Sequence, residues 1–305
     1  MNATVAGPAI RSRITRALAT LGLLIAVSAG STATPVAVAQ KAQPSLEITS
    51  PTGGEVVTAN EVEVTVEVSD YTVDCAQSGL PNEEGVGHIH VMIDGMTMAQ
   101  LANFYCEDTF TVPLDGLEPG PHTLIVDLAT NIHLDLMETA QEVEIDYQPE
   151  NPVDLPEPSV QGVPGLELVS PDDGATVPPV FTVEVEPVNF TVAEVFEGKQ
   201  NVPGHGHWHV FVDTTDPMAL MEEAMMGMDH DMGATPESGE MMAMMAMPMP
   251  NMVLMPGTNS FELDLTAWGP GEHTIFIEPA QNDHTHLEEF EPLIFTVVVD
   301  ENAGS

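Results

Sequence analysis

Val62-Glu63-Val64-Thr65-Val66-Glu67-Val68 places a valine at every second position with a polar residue between. Successive side chains on a strand point to opposite faces, so this stretch reads as a β-strand with one dry and one wet face. Val143, Ile145 and Tyr147 alternate with Glu142, Glu144 and Asp146 in the same way. Turn residues punctuate the chain at short intervals, as in Pro51-Thr52-Gly53-Gly54, Glu118-Pro119-Gly120 and Pro171-Asp172-Asp173-Gly174. Short alternating strands between such turns, about seven in about 105 residues, specify an all-β immunoglobulin-like sandwich. No Cys…Trp…Cys signature accompanies them, so the expectation concerns architecture alone.

The pattern is stated twice. Leu46-Glu47-Ile48-Thr49-Ser50-Pro51 recurs as Leu166-Glu167-Leu168-Val169-Ser170-Pro171, and Asp70-Tyr71-Thr72-Val73 as Asn189-Phe190-Thr191-Val192. Gly87-His88-Ile89-His90-Val91-Met92-Ile93-Asp94 recurs as Gly206-His207-Trp208-His209-Val210-Phe211-Val212-Asp213. Gly120-Pro121-His122-Thr123 recurs as Gly271-Glu272-His273-Thr274, and Asn131-Ile132-His133 as Asn282-Asp283-His284. The offset is 119 at the His-x-His element and 151 at the last two elements, so the second copy holds 151 − 119 = 32 extra residues between them. The expected layout is two tandem sandwich domains, 44–148 and 165–300, the second with a Met-rich insertion at 214–257. The joining segment 149–164 contains Pro149, Pro152, Pro156, Pro158 and Pro164 and reads as a semi-rigid linker.

Residues 1–39 read as an export signal: Arg11, Arg13 and Arg16, a short apolar run from Ala17 to Ala29, then the small-x-small sequence Ala37-Val38-Ala39. The expected mature protein is secreted, extracellular or periplasmic, and not membrane-anchored. Cys75 and Cys106 would then meet an oxidising compartment and pair, a cross-link that stabilises by roughly 3–4 kcal/mol in the chain-entropy model.

Charge narrows the function. The chain has 5 Lys+Arg against 48 Asp+Glu, and without residues 1–39 only Lys41 and Lys199 remain basic, giving 2 − 48 = −46. Nucleic acid and anionic membrane need Lys or Arg to displace counterions, so neither is a partner. Phosphoryl transfer and other anion chemistry lack their usual Arg clamp. The acid excess itself suits a saline habitat or diffuse cation binding and marks no site.

The histidines do mark one. His88 and His90 share one face of a strand opposite Ile89, Val91 and Ile93, and His207 and His209 do so opposite Trp208, Val210 and Val212. The apolar set faces the core, so the histidines are expected to face outward. In an immunoglobulin-like sandwich this strand is the third and Thr123–Thr130 the sixth, its antiparallel neighbour. His133 and His284, each just past a sixth strand, should therefore join the pairs, with His205 and His286 as extra ligands in the second copy. Three imidazoles around one point bind a metal with bonds near 2.0–2.1 Å. The plain alternative is a solvated histidine face. His122 and His273 carry the inward phase and should be structural, hydrogen-bonded by Asp94 and Asp213.

Residues 214–257 hold 14 of the 19 methionines. Thioethers are soft and favour Cu(I), and beside imidazoles they suit both copper states, with zinc as the lesser candidate. Met228-Asp229-His230-Asp231-Met232 resembles the Met/Asp/His repeats of bacterial copper-resistance proteins, which implies Met228, His230 and Met232 as ligands. The competing readings are a flexible apolar insertion, including a short helix from Pro217 to Met228, a hydrophobic partner surface and a sacrificial oxidant trap.

The pattern G-H-x-H, then G-x-H-T, then N-x-H, resembles a family of poorly characterised secreted bacterial domains. Gly87–Asp94 with Gly120–His133, and Gly206–Asp213 with Gly271–His286, carry it twice. The resemblance implies an exported immunoglobulin-like sandwich and no settled activity. Gly-x-His-x-His is also similar to the copper-ligand strand of copper/zinc superoxide dismutases. Against that enzyme stand the lack of a bridging histidine followed by zinc ligands at the expected local spacing, the lack of arginine beyond residue 39, and a charge that repels superoxide. The expected function is non-enzymatic: copper binding for sequestration or delivery, with a copper-donating or copper-accepting protein as partner. The alternatives are a metal-free adhesive or structural envelope module and a superoxide-dismutase-like redox enzyme.

Overall fold

A computed structural model describes residues 43–159, 162–228, 248–287 and 289–303. The described residues all belong to one compact unit. The first copy contributes β1 (Ser45–Ser50), β2 (Glu55–Val57), β3 (Glu61–Ser69), β4 (Thr72–Val73), β5 (Val86–Ile93), β6 (Leu101–Tyr105), β7 (Thr109–Pro113), β8 (Gly120–Thr130) and β9 (Asp135–Tyr147). The second contributes β10 (Gly165–Ser170), β11 (Ala175–Val177), β12 (Val180–Val188), β13 (Thr191–Val192), β14 (His205–Val212), α1 (Pro217–Met228), β15 (Met252–Leu254), β16 (Ser260–Asp264), β17 (Gly271–Ala280) and β18 (Leu293–Val299).

Each copy is a sandwich of two sheets. A three-stranded sheet, β1-β3-β7 or β10-β12-β16, faces a six-stranded one, β2-β9-β8-β5-β4 with β6 beside β5, or β11-β18-β17-β14-β13 with β15 beside β14. The valine ladder quoted above is β3, whose Val62, Val64 and Val66 are buried and whose Glu63 and Glu67 are exposed. These valines meet Ile89, Val91, Leu124, Val126 and Ile145 in the first core. Val183, Trp208, Val210, Ile275 and Val297 occupy the matching places in the second. The architecture is all-β with two tandem immunoglobulin-like sandwiches, the second carrying the long insertion.

The outward face of each large sheet is not wet. Met92, Leu101, Phe104 and Ile125 from the first copy pack against Phe211, Met221, Met249, Met252, Met255 and Phe276 from the second, forming a third core between the sandwiches. This corrects the expectation that the histidines face outward to solvent: they do leave their own core, but the other sandwich covers them. The strand sequences explain it, since Ile89 to Ile93 and Trp208 to Val212 contain nothing that needs water on either face except the histidines. Four of the described methionines of the insertion join this core, while Met218, Met225 and Met226 on α1 are exposed. Met221, Met249, Met252 and Met255 are buried packing residues, and the far end of the insertion returns as β15, paired to β14.

The joint has an approximate two-fold pattern. Gly79 lies so near the second copy that an added Cβ would meet the Asn251 carbonyl carbon at 2.7 Å, and Gly198 would meet the Leu101 oxygen at 2.7 Å. Both glycines have positive φ, at 79° and 72°, so each is required twice over. Lys199, the one Lys or Arg among the described residues, donates to the Pro113 carbonyl at 3.1 Å and the Val195 carbonyl at 2.6 Å. Cys75 and Cys106 are bonded, with Cα atoms 5.5 Å apart. No helix among the described residues is long and apolar enough to cross a membrane.

Candidate metal centre

The histidine positions follow from strand register. β5 pairs antiparallel with β8, setting His88 opposite Ala129 and His90 opposite Asp127, and β14 with β17 sets His207 opposite Ala280 and His209 opposite Glu278. Gly87 and Gly206 precede the pairs because a Cβ there would collide with the Ala129 and Ala280 carbonyls. At the ends of β8 and β17 the chain turns through His133 and His284, whose φ values are 65° and 62°. A left-handed backbone is unfavourable for a residue with a Cβ, so holding histidine there twice costs roughly 1–2 kcal/mol each. Such strain persists where the surrounding structure imposes it.

Both triads are brought together. His88, His90 and His133 each place one ring nitrogen within 4.8 Å of the others, as do His207, His209 and His284. The Nε2 atoms of His88 and His90 lie 3.0 Å apart, and those of His207 and His209 lie 3.1 Å apart. Two nitrogens at that separation, bound to one ion at about 2.05 Å, subtend an angle of about 95°. The separation thus suits two ligands of a distorted tetrahedral or trigonal ion without strand movement.

The third histidine is oriented by the opposite sandwich. His133 Nε2 donates to the Met252 carbonyl at 3.1 Å, and His284 Nε2 donates to the Leu101 carbonyl at 2.6 Å. Met252 and Leu101 occupy equivalent places, opposite Phe211 and Met92, so the arrangement is reciprocal. In a neutral imidazole the other nitrogen then carries the lone pair. Nδ1 of His133 and of His284 is buried without a hydrogen-bond partner. A ring fixed through one nitrogen by a carbonyl, with the other bare, is how protein histidines are prepared for a metal. The unpartnered buried atoms are the observation against which a bound ion fits.

Electrostatics favour the neutral form of five of these six rings. Burial, then the charges of His133 and His90, hold His88 well below the ordinary imidazole value. Burial, then His284, does the same for His207 and His209. His133 is pushed down to about 3 and His284 to about 4, chiefly by burial. His90 differs. Burial alone would lower it, but Asp135, accepting from Nδ1 at 2.6 Å, and the nearby Asp127 raise it. Burial and Asp135 in turn push the Asp127 carboxyl up to about 8.

The remaining sequence candidates are dispersed. His205 Nε2 faces the Glu157 carbonyl at 3.0 Å and Ser159 Oγ at 3.2 Å, so it secures the Pro-rich segment and joins neither triad. It shares the face of His207 and His209 but opens β14, where its ring turns to the segment before the second sandwich instead of to His284. His286 groups with His209 and Glu278. Met228 ends α1, while His230 and Met232 lie outside the described residues. His122 and His273 bond Asp94 and Asp213 at 2.6 and 2.9 Å, and Glu118 and Gly269 carbonyls at 2.7 and 3.0 Å. Sequence reasoning did not single out Asp127, Asp135 or Glu278. The signal was there: residues 127 and 278 are acids at the 151 offset inside otherwise apolar strands.

No protein-family model and no curated protein sequence matches the chain. Among solved structures it is similar to the fibronectin(III)-like modules of Clostridium thermocellum CbhA, at 11% identity over 85% of this chain and 97% of that one, with a TM-score of 0.25. It is similar to the D00-D0 domain of intimin at 9% identity, covering 85% and 100% of the two chains with a TM-score of 0.21. A tetra-tandem repeat in the extending region of a large adhesion protein is similar at 8% identity, over 85% and 49%, with a TM-score of 0.21. At these scores the likenesses add nothing to the strand order and pairing described above.

Proposed function

We propose that the protein binds a metal ion in each histidine triad, copper foremost, and serves to sequester or deliver it outside the cytoplasm. One observation carries the reading: in both copies two Nε2 atoms 3.0–3.1 Å apart meet a third histidine whose free nitrogen is buried and unpartnered. Three neutral nitrogens favour copper over other divalent first-row ions, since affinity along that series peaks at Cu(II). They also suit Cu(I): the desolvation cost of an ion scales with the square of its charge, so a monovalent ion in so dry a pocket costs about a quarter as much as a divalent one. Zinc fits the same donors less selectively. Binding rather than catalysis is favoured because His88, His207 and His209 are wholly buried, leaving no approach for a substrate to these triads. The run Met228-Asp229-His230-Asp231-Met232 would act as the collector that passes Cu(I) to the second triad, with a separate copper-carrying protein as donor or acceptor.

Anaerobic Cu(I) and aerobic Cu(II) titrations test this on the wild type, on His88→Ala/His90→Ala and on His207→Ala/His209→Ala. Each double substitution should remove one triad's ion. A deletion confined to 229–247 spares the buried Met221, Met249, Met252 and Met255 and should slow loading without changing the final stoichiometry. Unchanged stoichiometry in both histidine variants would overturn the proposal. Superoxide dismutation lost with the histidines would instead point to redox catalysis, and cell or glycan binding without metal to an adhesive module.

A further inference from the structure

We infer that the second copy holds a second metal ion, shared through His209, at a position where the first copy has replaced the ligand by a hydrogen bond. The inference rests on the metal-binding reading above and adds a site to it. His209 belongs to two groups of convergent ligand atoms, one with His207 and His284 and the other with Glu278 and His286. Its Nε2 faces His207 Nε2 at 3.1 Å, so the second group uses the opposite side of the ring.

Comparison of the copies supports that placement. Residue 135 corresponds to residue 286 and residue 127 to residue 278, as the matched pairings of Ala129 with Asp135 and Ala280 with His286 show. The first copy places His90, Asp127 and Asp135 in the matching group, but there His90 Nδ1 donates to Asp135 Oδ1 at 2.6 Å, which occupies that side of the ring. In the second copy the partner is a histidine. His209 Nδ1, Glu278 Oε1 and His286 Nδ1 are all buried without a hydrogen bond, although His286 Nδ1 and Glu278 Oε1 stand only 2.9 Å apart. The His209 nitrogen, buried with no partner, would cost roughly 1–3 kcal/mol if nothing joined it, whereas His286 Nδ1 and Glu278 Oε1 form an ion pair. An imidazole nitrogen, a carboxylate oxygen and a second imidazole nitrogen are a common ligand set for Zn(II) or Cu(II).

The chemistry balances by proton release. With Nε2 of His209 on the first ion, Nδ1 carries the ring proton, and the second ion displaces it to solvent. The imidazolate, shared by both ions, and the Glu278 carboxylate then supply two negative charges to the pair, while the other ligands of the first ion are neutral rings. The His286 side chain is 26% exposed and Glu278 3%, so the second ion lies on the more exposed side of His209. The shared ring makes the two ions electronically coupled.

Metal counting and electron paramagnetic resonance on the Cu(II)-loaded protein test this. The wild type should bind three ions, one in the first copy and two in the second. Only the first-copy ion should give a full spin signal, because two Cu(II) ions across an imidazolate couple antiferromagnetically. His286→Asp installs the first copy's own residue and should bind two ions with full spin recovery, and Glu278→Gln should lose the same outer ion. Asp135→His should raise the first copy's capacity. Two ions in wild type with no effect of His286→Asp, or three ions with uncoupled spins, would overturn the shared site while leaving the triads standing. No ions at all would overturn the metal reading itself.

Discussion

Replacing His284 by glycine separates the structural from the metal-binding role of that residue. In the metal-free protein the change removes the hydrogen bond to the Leu101 carbonyl at 2.6 Å, which leaves a buried acceptor and costs about 1–3 kcal/mol. It also relieves the left-handed backbone at φ 62°, which returns about 1–2 kcal/mol. From these two effects the metal-free protein should change by between about 1 kcal/mol gained and about 2 kcal/mol lost. Metal changes the comparison. At free ion a hundredfold above Kd, a site stabilises the native state by about 2.7 kcal/mol, so two triads give about 5.4. His284→Gly should lose the second triad's share, and His133→Gly/His284→Gly should lose both. In a unit of this size about 2–4 °C of Tm accompanies each kcal/mol, so each triad's loss should remove about 5–10 °C of the metal-induced rise. Thermal melts with and without Cu(II) or Zn(II) provide the measurement. An undiminished metal-induced rise in the double variant would refute the assignment of these rings as ligands.

Acidification should destabilise the metal-free protein. The unfolded chain protonates His133 and His284 near 6.5, whereas the native state resists to about 3 and 4. The unfolded state binds more protons in that interval, so the stability is whole above 6.5 and falls as pH drops, by about 2 kcal/mol per ring at pH 5. His88, His207 and His209 act in the same sense, while Asp127, raised to about 8, offsets part of the loss because the native state binds its proton first. A Tm unchanged between pH 7 and pH 5 would contradict neutral buried rings. Lys199→Met should cost about 2–5 kcal/mol by orphaning the Pro113 and Val195 carbonyls, read as a lower urea midpoint; a neutral result would mean the carbonyls find other donors. Gly206→Ala drives a methyl into the Ala280 carbonyl and Phe190, so it should destabilise by about 1–3 kcal/mol and weaken metal binding in the second copy alone.

Strand alternation and the internal repeat carried most of the fold. The valine ladder of β3 and the paired Gly-His-x-His strands gave the sandwich, the duplicate and the meeting of His88 with His90 and His133. The joint between the sandwiches was harder to read. Period-two reasoning assigns the face opposite the core to water, yet Met92 and Phe211 on that face are apolar, and this is the trace the joint leaves in the sequence. The carbonyl partners of His133 and His284 lie 119 and 183 residues away, where no local pattern reaches. Met221, Met249, Met252 and Met255 serve packing, an unbranched side chain filling an irregular seam between two sheets, while Met218, Met225 and Met226 on α1 stay exposed. His205 lies at the same end of the sandwich, as its place in the sequence implied, but its ring is taken by the Glu157 carbonyl and Ser159 of the Pro-rich segment, a contact no local pattern announces.

X-ray absorption at the copper edge of the loaded protein probes the ligands themselves. The expected spectrum has a nitrogen shell near 2.0 Å with imidazole outer-shell scattering, about three rings per ion in the buried triads, and it loses amplitude in His207→Ala/His209→Ala. A shell dominated by sulfur near 2.3 Å, unchanged in that variant, would place copper on the methionines and contradict the histidine site.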